Sequence, residues 1–469
     1  MEQLNLLTEN KVTKKAVLIS IMISALLPTF LSSSVNVALP SMSNEFGMNT
    51  TALSWVSTAY LLAAAAFLVP FGRAADIYGR RRIFLWGLIL LAVSSILCIF
   101  TRYGWQLIAL RVLQGIGGCM LSSTGIAILS SVYPGSERGK ALGMIGITSY
   151  AGMSAGPPLG GILTEHFGWR SIFCMSALLG VIIIIIVLKY MNMEWTEAKG
   201  ESFDVVGTII FCASLIALLC GFTFLNATYG LFLLVAGIAG TIAFGVWALK
   251  VKNPVVDISL FRGNKAFIFS TFAALINYGL TFVISYVLSL YLQYIIGLSP
   301  QYAGIVLISQ PLIQAIFSPF AGRLSDKMKP ELVSAIGFVL NGVGLLMFLF
   351  LGNQTSVIFV VIGLIIEGLG CAFFISPNQN SVMRSVGKQI YGVASGILAT
   401  MRFIGQMVCM GIATLSFTAF MGNMKITQQV SFQAFLKSMH IIFIVMTMLC
   451  VLGICASLAR KKIKVNREI

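Results

Sequence analysis

Apolar runs long enough to cross a lipid bilayer recur along the whole chain. A spanning helix needs about 20 mostly apolar residues. That ruler places spans at 15–40, 52–72, 82–101, 105–131, 139–163 and 170–190. A polar, charged stretch over 191–204 follows, then spans at 205–225 and 228–250. An amphipathic linker, 251–265, precedes the remaining spans at 266–295, 302–322, 332–352, 355–382, 390–421 and 436–459. The pattern thus predicts fourteen transmembrane helices. The first run spans fully and lacks a small-residue cleavage site, so it reads as a helix rather than a removable leader.

Composition narrows the class. Hydrophobic residues make up 58% of the 469 and charged residues 10%, with a mean hydropathy of +0.94. Such a chain is neither a water-soluble enzyme nor a disordered segment, both of which need more charge. The formal net charge of +16 would suggest nucleic acid in a soluble domain, but the apolar runs leave no groove-reading surface. Topology explains it instead, because Lys and Arg collect on the cytoplasmic side. With both termini inside, 25 of the 31 basic residues fall on that side and 4 on the other, leaving Arg111 and Arg402 within spans. The Arg460–Arg467 tail is also placed to meet anionic lipid. The nine cysteines lie in apolar stretches without a CxxC pair, and there are two histidines. No metal site, disulfide framework or cofactor site is therefore expected. The chain reads as an all-α, multi-pass integral membrane protein.

An internal repeat divides it. Pro70-Phe71-Gly72-Arg73-Ala74-Ala75-Asp76 returns as Pro319-Phe320-Ala321-Gly322-Arg323-Leu324-Ser325-Asp326, each copy at the inner end of the second span of its block. Duplicated halves around a central site are a transporter architecture. The expected organisation is an N-terminal six-helix bundle (1–190), a linker with two extra helices (191–265) and a C-terminal six-helix bundle with a basic tail (266–469).

Ionisable residues inside the hydrocarbon are costly and hence candidates for function. Three stand out: Arg111, Glu367 and Arg402. Arg111 precedes the glycines of Gln114-Gly115-Ile116-Gly117-Gly118, where a neighbouring helix can approach. It either holds water or an anionic group in a cavity or fixes a helix end through backbone carbonyls. Glu367 is the one acid within a span, and burial favours its neutral form, so it can take up and release a proton. The alternative is a structural ion pair with Arg402. The run Gly152-Met153-Ser154-Ala155-Gly156-Pro157-Pro158-Leu159-Gly160-Gly161 predicts a tightly packed, bent helix. The loop 72–82, with Gly72, Arg73, Asp76, Gly79, Arg80, Arg81 and Arg82, can latch the cytoplasmic face, with Asp76 capping a helix N-terminus. Trp55, Tyr60, Tyr150, Tyr278, Tyr286, Tyr291 and Phe374 are candidates to line a cavity.

Together these residues resemble the major facilitator superfamily. The segment from Gly72 to Arg82 resembles its signature between helices 2 and 3, and the Arg111 stretch its helix-4 motif. Gly152 to Gly161 is similar to the helix-5 antiporter motif of exporters, with Gly168-Trp169-Arg170 following as in that group. Fourteen spans, the linker 253–262 and the Met401-Arg402 helix look like the fourteen-helix drug:proton antiporter branch. The resemblance implies that Asp76 and Arg80 form a gating latch and that Arg111 takes part in proton coupling. It likewise implies that Gly152, Gly156, Pro157, Gly160 and Gly161 shape the bend of alternating access.

The family's helix 1 commonly carries an Asp before the ending that here reads Asn36-Val37-Ala38-Leu39-Pro40, and the aligned residue is Leu31. Glu367 is the substitute, with Arg111 and Arg402 beside it in proton coupling. The implied function is efflux of small lipophilic or amphiphilic molecules by a monomer in the plasma membrane. Its energy source is the proton gradient, and its partners are protons, substrate and lipid. An uncoupled facilitator or metabolite exporter is the alternative, ahead of a non-transporting membrane sensor.

Overall fold

The computed structural model describes residues 11–133, 135–225, 227–256, 264–386, 391–422 and 429–460. They are almost entirely helical. The first set comprises α1 (Lys11–Phe46), α2 (Thr50–Tyr78), α3 (Arg80–Ile99), α4 (Gly104–Val132), α5 (Gly135–Phe167) and α6 (Arg170–Tyr190). A pair, α7 (Val205–Thr223) and α8 (Thr228–Ala248), follows. The second set comprises α9 (Lys265–Leu290), α10 (Pro300–Leu307), α11 (Ser309–Lys327), α12 (Pro330–Phe348), α13 (Val357–Arg384), α14 (Tyr391–Met421) and α15 (Gln429–Leu458).

Thirteen spans among the described residues are long and apolar enough to cross a membrane, with α10 and α11 counted as one. The helix outside that group is α5, whose Gly, Ser and Pro content dilutes its apolar character; it makes fourteen. The expected span at 302–322 is broken at Ile308, and a π-helical turn, Tyr291–Ile295, ends α9. Residues 257–263 of the linker and 461–469 of the tail lie outside the described residues.

One pairing pattern occurs twice. In the first set α1 packs on α5, α2 on α4, and α3 on both α4 and α6. In the second, α9 packs on α14, α11 on α13, and α12 on both α13 and α15. The α7–α8 pair packs on itself and touches the sets through α2 and α14. Asp204 caps α7 by accepting from the Gly207 N–H (2.8 Å) and accepts from Trp247 Nε1 of α8 (3.1 Å), joining the two helices at one end.

Helix α5 shows why its composition matters. A Cβ at Gly152, Gly156 or Gly160 would collide with Thr29, Ser33 or Ser34 of α1, and one at Gly161 with the Pro300 carbonyl of α10. The Ser34 hydroxyl donates to the Gly156 carbonyl at 2.9 Å. Small residues let backbones meet where no hydrophobic drive separates helix from lipid. The helix runs on through Pro157 and Pro158 without interruption.

The sets meet from midspan to the end of the bundle that carries Glu165. Ser289 and Gln293 donate to the carbonyls of Asn36 (2.8 Å) and Val37 (2.9 Å). Thr414 donates to Ser54 (2.9 Å), and the Thr51 and Thr418 hydroxyls pair at 3.0 Å. Glu165 accepts from the Ser299 hydroxyl and the Gln301 N–H. At the opposite end, which carries Arg80, the partner-facing stripe of α5 opens: Gly143 and Gly146 have nothing within 4 Å of an added Cβ, nor has Gly396 on α14. Among the described residues, the hydrogen bonds between the sets thus cluster at the Glu165 end.

Candidate functional site

At the level where the two sets begin to part, one cation faces several aromatic rings. Arg402 of α14 is half-buried, and its guanidinium lies over the rings of Phe403 (4.8 Å) and Tyr278 of α9 (6.0 Å). Tyr60 of α2 and Tyr150 of α5 are within its electrostatic reach, so both sets contribute. The Tyr150 hydroxyl approaches Gln314 of α11, a fully buried amide whose two polar atoms close no hydrogen bond. The buried hydroxyl of Tyr60 has no partner either. The other aromatic candidates lie elsewhere. Tyr291 donates to the Gly352 carbonyl (2.7 Å), Phe374 packs on Phe338 (4.7 Å between centroids), and Tyr286 packs on Phe417.

Arg111 of α4 is 1% exposed. Its Nε donates to the Val56 carbonyl and its Nη1 to Gln114 Oε1, both at 2.9 Å, and Gln114 passes the chain on to Ser95 (3.0 Å). Its guanidinium lies 4.6 Å over the Tyr60 ring. The backbone of α2 comes this close because Gly115 and Gly118 leave no Cβ to strike Tyr60. Among the described residues no carboxylate pairs with Arg111.

Glu367 of α13 is fully buried, and neither carboxyl oxygen has a partner among the described residues. The ion pair with Arg402 weighed from the sequence is not formed. The reason is direction: Glu367 extends into the notch left by Gly344 of α12, where an added Cβ would stand 2.8 Å from its Cγ and Oε1. One turn away the arrangement is reversed, with Asn341 of α12 pressed into the notch left by Gly370 of α13. Asn341 is also fully buried and unpartnered. Cys371, one turn from Glu367, contacts Thr281 of α9 (3.2 Å) and Gln310 of α11 (3.6 Å), so the notch lies one layer behind the cavity wall.

The arginine motif is mostly helical rather than a loop. Helix α2 continues to Tyr78, and Gly79 alone breaks it, at φ +120°, a conformation that L side chains rarely adopt. Asp76 therefore lies in the last turn of α2 and does not cap a helix N-terminus. It accepts instead from Arg80 Nε (2.8 Å) and carries its peptide carbonyl to the Ala198 N–H (3.0 Å). Arg80 also donates to Glu197 Oε1 (2.9 Å) and Ser131 (3.0 Å). Glu194 accepts from the Arg81 peptide N–H (2.7 Å) in the space that Gly79 leaves open, and Arg73 pairs with Glu201.

Sequence reasoning missed these three acids of the 191–204 stretch. Their signal was a spacing of three and four residues opposite an arginine cluster. In the second copy, Asp326 pairs with Arg384 (3.1 Å) on the surface, Gly322 abuts Ser376, and Arg323 is exposed.

Arg460 also departs from expectation. Its guanidinium is buried and donates to Asn378 (2.6 Å), so it does not meet lipid, and burial pulls it down to about 10. An open groove of about 610 Å³ lies at the Glu165 end between α2, α14 and the α7–α8 turn, where Trp55 stacks on Phe224. No titratable candidate lines it.

The Major Facilitator Superfamily profile matches residues 21–235 and 270–468. The riboflavin transporter RibZ of Clostridioides difficile (strain 630) is 31% identical over 394 residues, covering 83% of this chain and 85% of that one. Multidrug resistance protein Stp of Mycobacterium tuberculosis (strain CDC 1551 / Oshkosh) is 30% identical over 81% of this chain and 71% of its own length. In fold, the chain is similar to a bacterial homolog of the human lysosomal transporter Spinster, with a TM-score of 0.69 at 16% identity over 96% of this chain and 98% of that one.

Proposed function

The chain belongs to the Major Facilitator Superfamily, and we propose that it is an exporter of amphiphilic small molecules working by alternating access and proton antiport, of the fourteen-helix type. The observation that carries this reading is the asymmetry between the two ends. The sets are hydrogen-bonded together from midspan to the Glu165 end, while at the Arg80 end the glycines of α5 and α14 face open space. The excess of Lys and Arg places the Arg80 end in the cytoplasm, so substrate enters from inside. The repeated pairing of helices supports two six-helix halves that rock against each other, with the α7–α8 pair between them in sequence.

Glu367 is the proton carrier. An ionised carboxylate without a partner in an apolar interior is strongly disfavoured, so the side chain holds its proton in this state and gives it up where water reaches the notch. Its distance from Arg402, by way of Cys371 and Gln310, makes the coupling indirect: protonation alters how α12 and α13 pack, and the cavity wall follows. Arg111 maintains the charge and hydration of the first half. The motif around Asp76 and Arg80 sets the cytoplasmic gate, and Gly152, Gly156, Pro157, Gly160 and Gly161 allow α1 and α5 to move as one unit. The 322–326 copy holds the second half's cytoplasmic end.

An uncoupled exporter is the second reading. It is favoured by Leu31, fully buried at the helix-1 position where the resemblance implies an acid. Purified protein in liposomes with an imposed pH gradient and a trapped pH-sensitive dye separates the two. Antiport predicts proton flux on adding a transported compound, abolished in Glu367→Gln. Compound movement without proton flux establishes the uncoupled reading.

A further inference from the structure

The charge between the two sets at midspan selects a chemical class of substrate. Among the described residues, Arg402 carries the full charge at this level, half-buried between the sets. Its guanidinium has no hydrogen bond or ion pair among the described residues, and its Nε is buried and unpartnered. The one carboxyl within a span, Glu367, turns away into the Gly344 notch. The remaining ion pairs lie at the ends of the bundle, on Arg73, Arg80, Arg82, Arg170 and Arg384. Behind this level Arg111 adds a second, buried guanidinium over the Tyr60 ring, again without a carboxylate among the described residues. A lipophilic cation entering here would meet unneutralised positive charge in a medium of low dielectric constant, which penalises it.

The surfaces around Arg402 are flat. Tyr150 and Tyr278, both half-buried, present rings from the two sets, while Tyr60 is buried under Arg111 and Gln314 is enclosed behind Tyr150. Aromatic walls accommodate a planar ring by stacking. A guanidinium recognises a carboxylate through two parallel hydrogen bonds. We propose that the space between the sets beside Arg402 binds planar aromatic anions, with the ring against Tyr150 and Tyr278 and the anionic group on Arg402. The proposal rests on the reading of the chain as a transporter that binds substrate between its sets but not on proton coupling, because it concerns equilibrium affinity.

Equilibrium dialysis with detergent-purified full-length protein tests it, using radiolabelled 2-naphthoate, 2-naphthamide and 2-naphthylmethylammonium, which share one ring and differ in charge. We expect saturable naphthoate binding at least about tenfold tighter than that of the ammonium compound, with the neutral amide between them. Arg402→Gln should reduce naphthoate affinity to that of the amide, and Arg402→Lys should restore part of the difference. An amide affinity in Arg402→Gln within about threefold of wild type shows that the cavity is intact. Acetate at equal concentration should not compete, since it lacks the ring.

Equal or tighter binding of the cation overturns the proposal. So does an anion preference that survives Arg402→Gln, competition by acetate, or absence of saturable binding for all three. Failure of antiport in liposomes leaves these affinities unchanged, so the two readings fall separately.

Discussion

The isolated charges within the spans are tolerated by different means, and each means predicts a different response to substitution. Arg111 is held by fixed acceptors: the Val56 carbonyl, the Gln114 amide oxygen and the Tyr60 ring. Replacing it with Met strands the buried Gln114 amide oxygen, at about 1–3 kcal/mol, and removes a second donor from the Val56 carbonyl. Arg111→Met should therefore lower the thermal unfolding midpoint of the purified protein markedly, and Arg111→Lys should recover only part of it, because one ammonium cannot reproduce the fork. An unfolding midpoint unchanged in Arg111→Met would show that the network is dispensable to the fold.

Glu367, by contrast, has no partner to strand. Gln fits the same Gly344 notch, so Glu367→Gln should leave the unfolding midpoint within about 1 kcal/mol of wild type in stability terms while abolishing proton flux. A Gly344→Val change should be worse for folding than Glu367→Gln, because its side chain collides with the Glu367 stem.

At the scale of elements, the arginine cluster and the 191–204 stretch behave as one piece. Arg80 joins α2, α4 and the stretch through Asp76, Ser131 and Glu197, while Glu194 occupies the space beside Gly79. Gly79→Ala both strains a positive φ and displaces Glu194. We expect faster amide hydrogen exchange across 191–204 in that variant, and in Glu194→Gln a smaller increase. Unchanged exchange in Gly79→Ala would contradict the clamp.

Much of this was legible in the chain. Apolar length located the helices to within a few residues at most ends, and the Gly/Pro run of α5 announced close packing. Three things were not. The acids at 194, 197 and 201 read as a solvated linker, because nothing in their local pattern says which surface they meet. The break at Ile308 falls inside an apolar run, where length arguments are blind. The direction of Glu367 depends on Gly344, some twenty residues away on another helix, so its separation from Arg402 could not be read from spacing. Arg460 looked like a membrane anchor because its neighbours are basic, yet Asn378 draws it inward.

For the whole molecule, the closed end and the open end are two aspects of one state. Closure at the Glu165 end includes hydrogen bonds from the Ser299 hydroxyl and the Gln301 N–H, which hold the Glu165 carboxyl below the ordinary carboxylate value of 4.5. This position lies beyond the apolar part of its span. A lowered value in the closed state means that closure is favoured above about 4.5 and loses that contribution as pH falls through the lowered value. The distance between spin labels placed on the two sets across this end should therefore be constant between pH 6 and 8 and lengthen in strong acid, with the acid effect absent in Glu165→Gln.

The most direct test of alternating access by protonation of Glu367 measures both ends at once in liposomes. One spin-label pair spans the two sets at the Arg80 end and another at the Glu165 end, and each distance is followed as the pH outside is lowered. The wild type should change reciprocally, one distance lengthening as the other shortens, and Glu367→Gln should stay in one arrangement whatever the gradient. Reciprocal motion that persists in Glu367→Gln, or two distances that move together in the wild type, would contradict it.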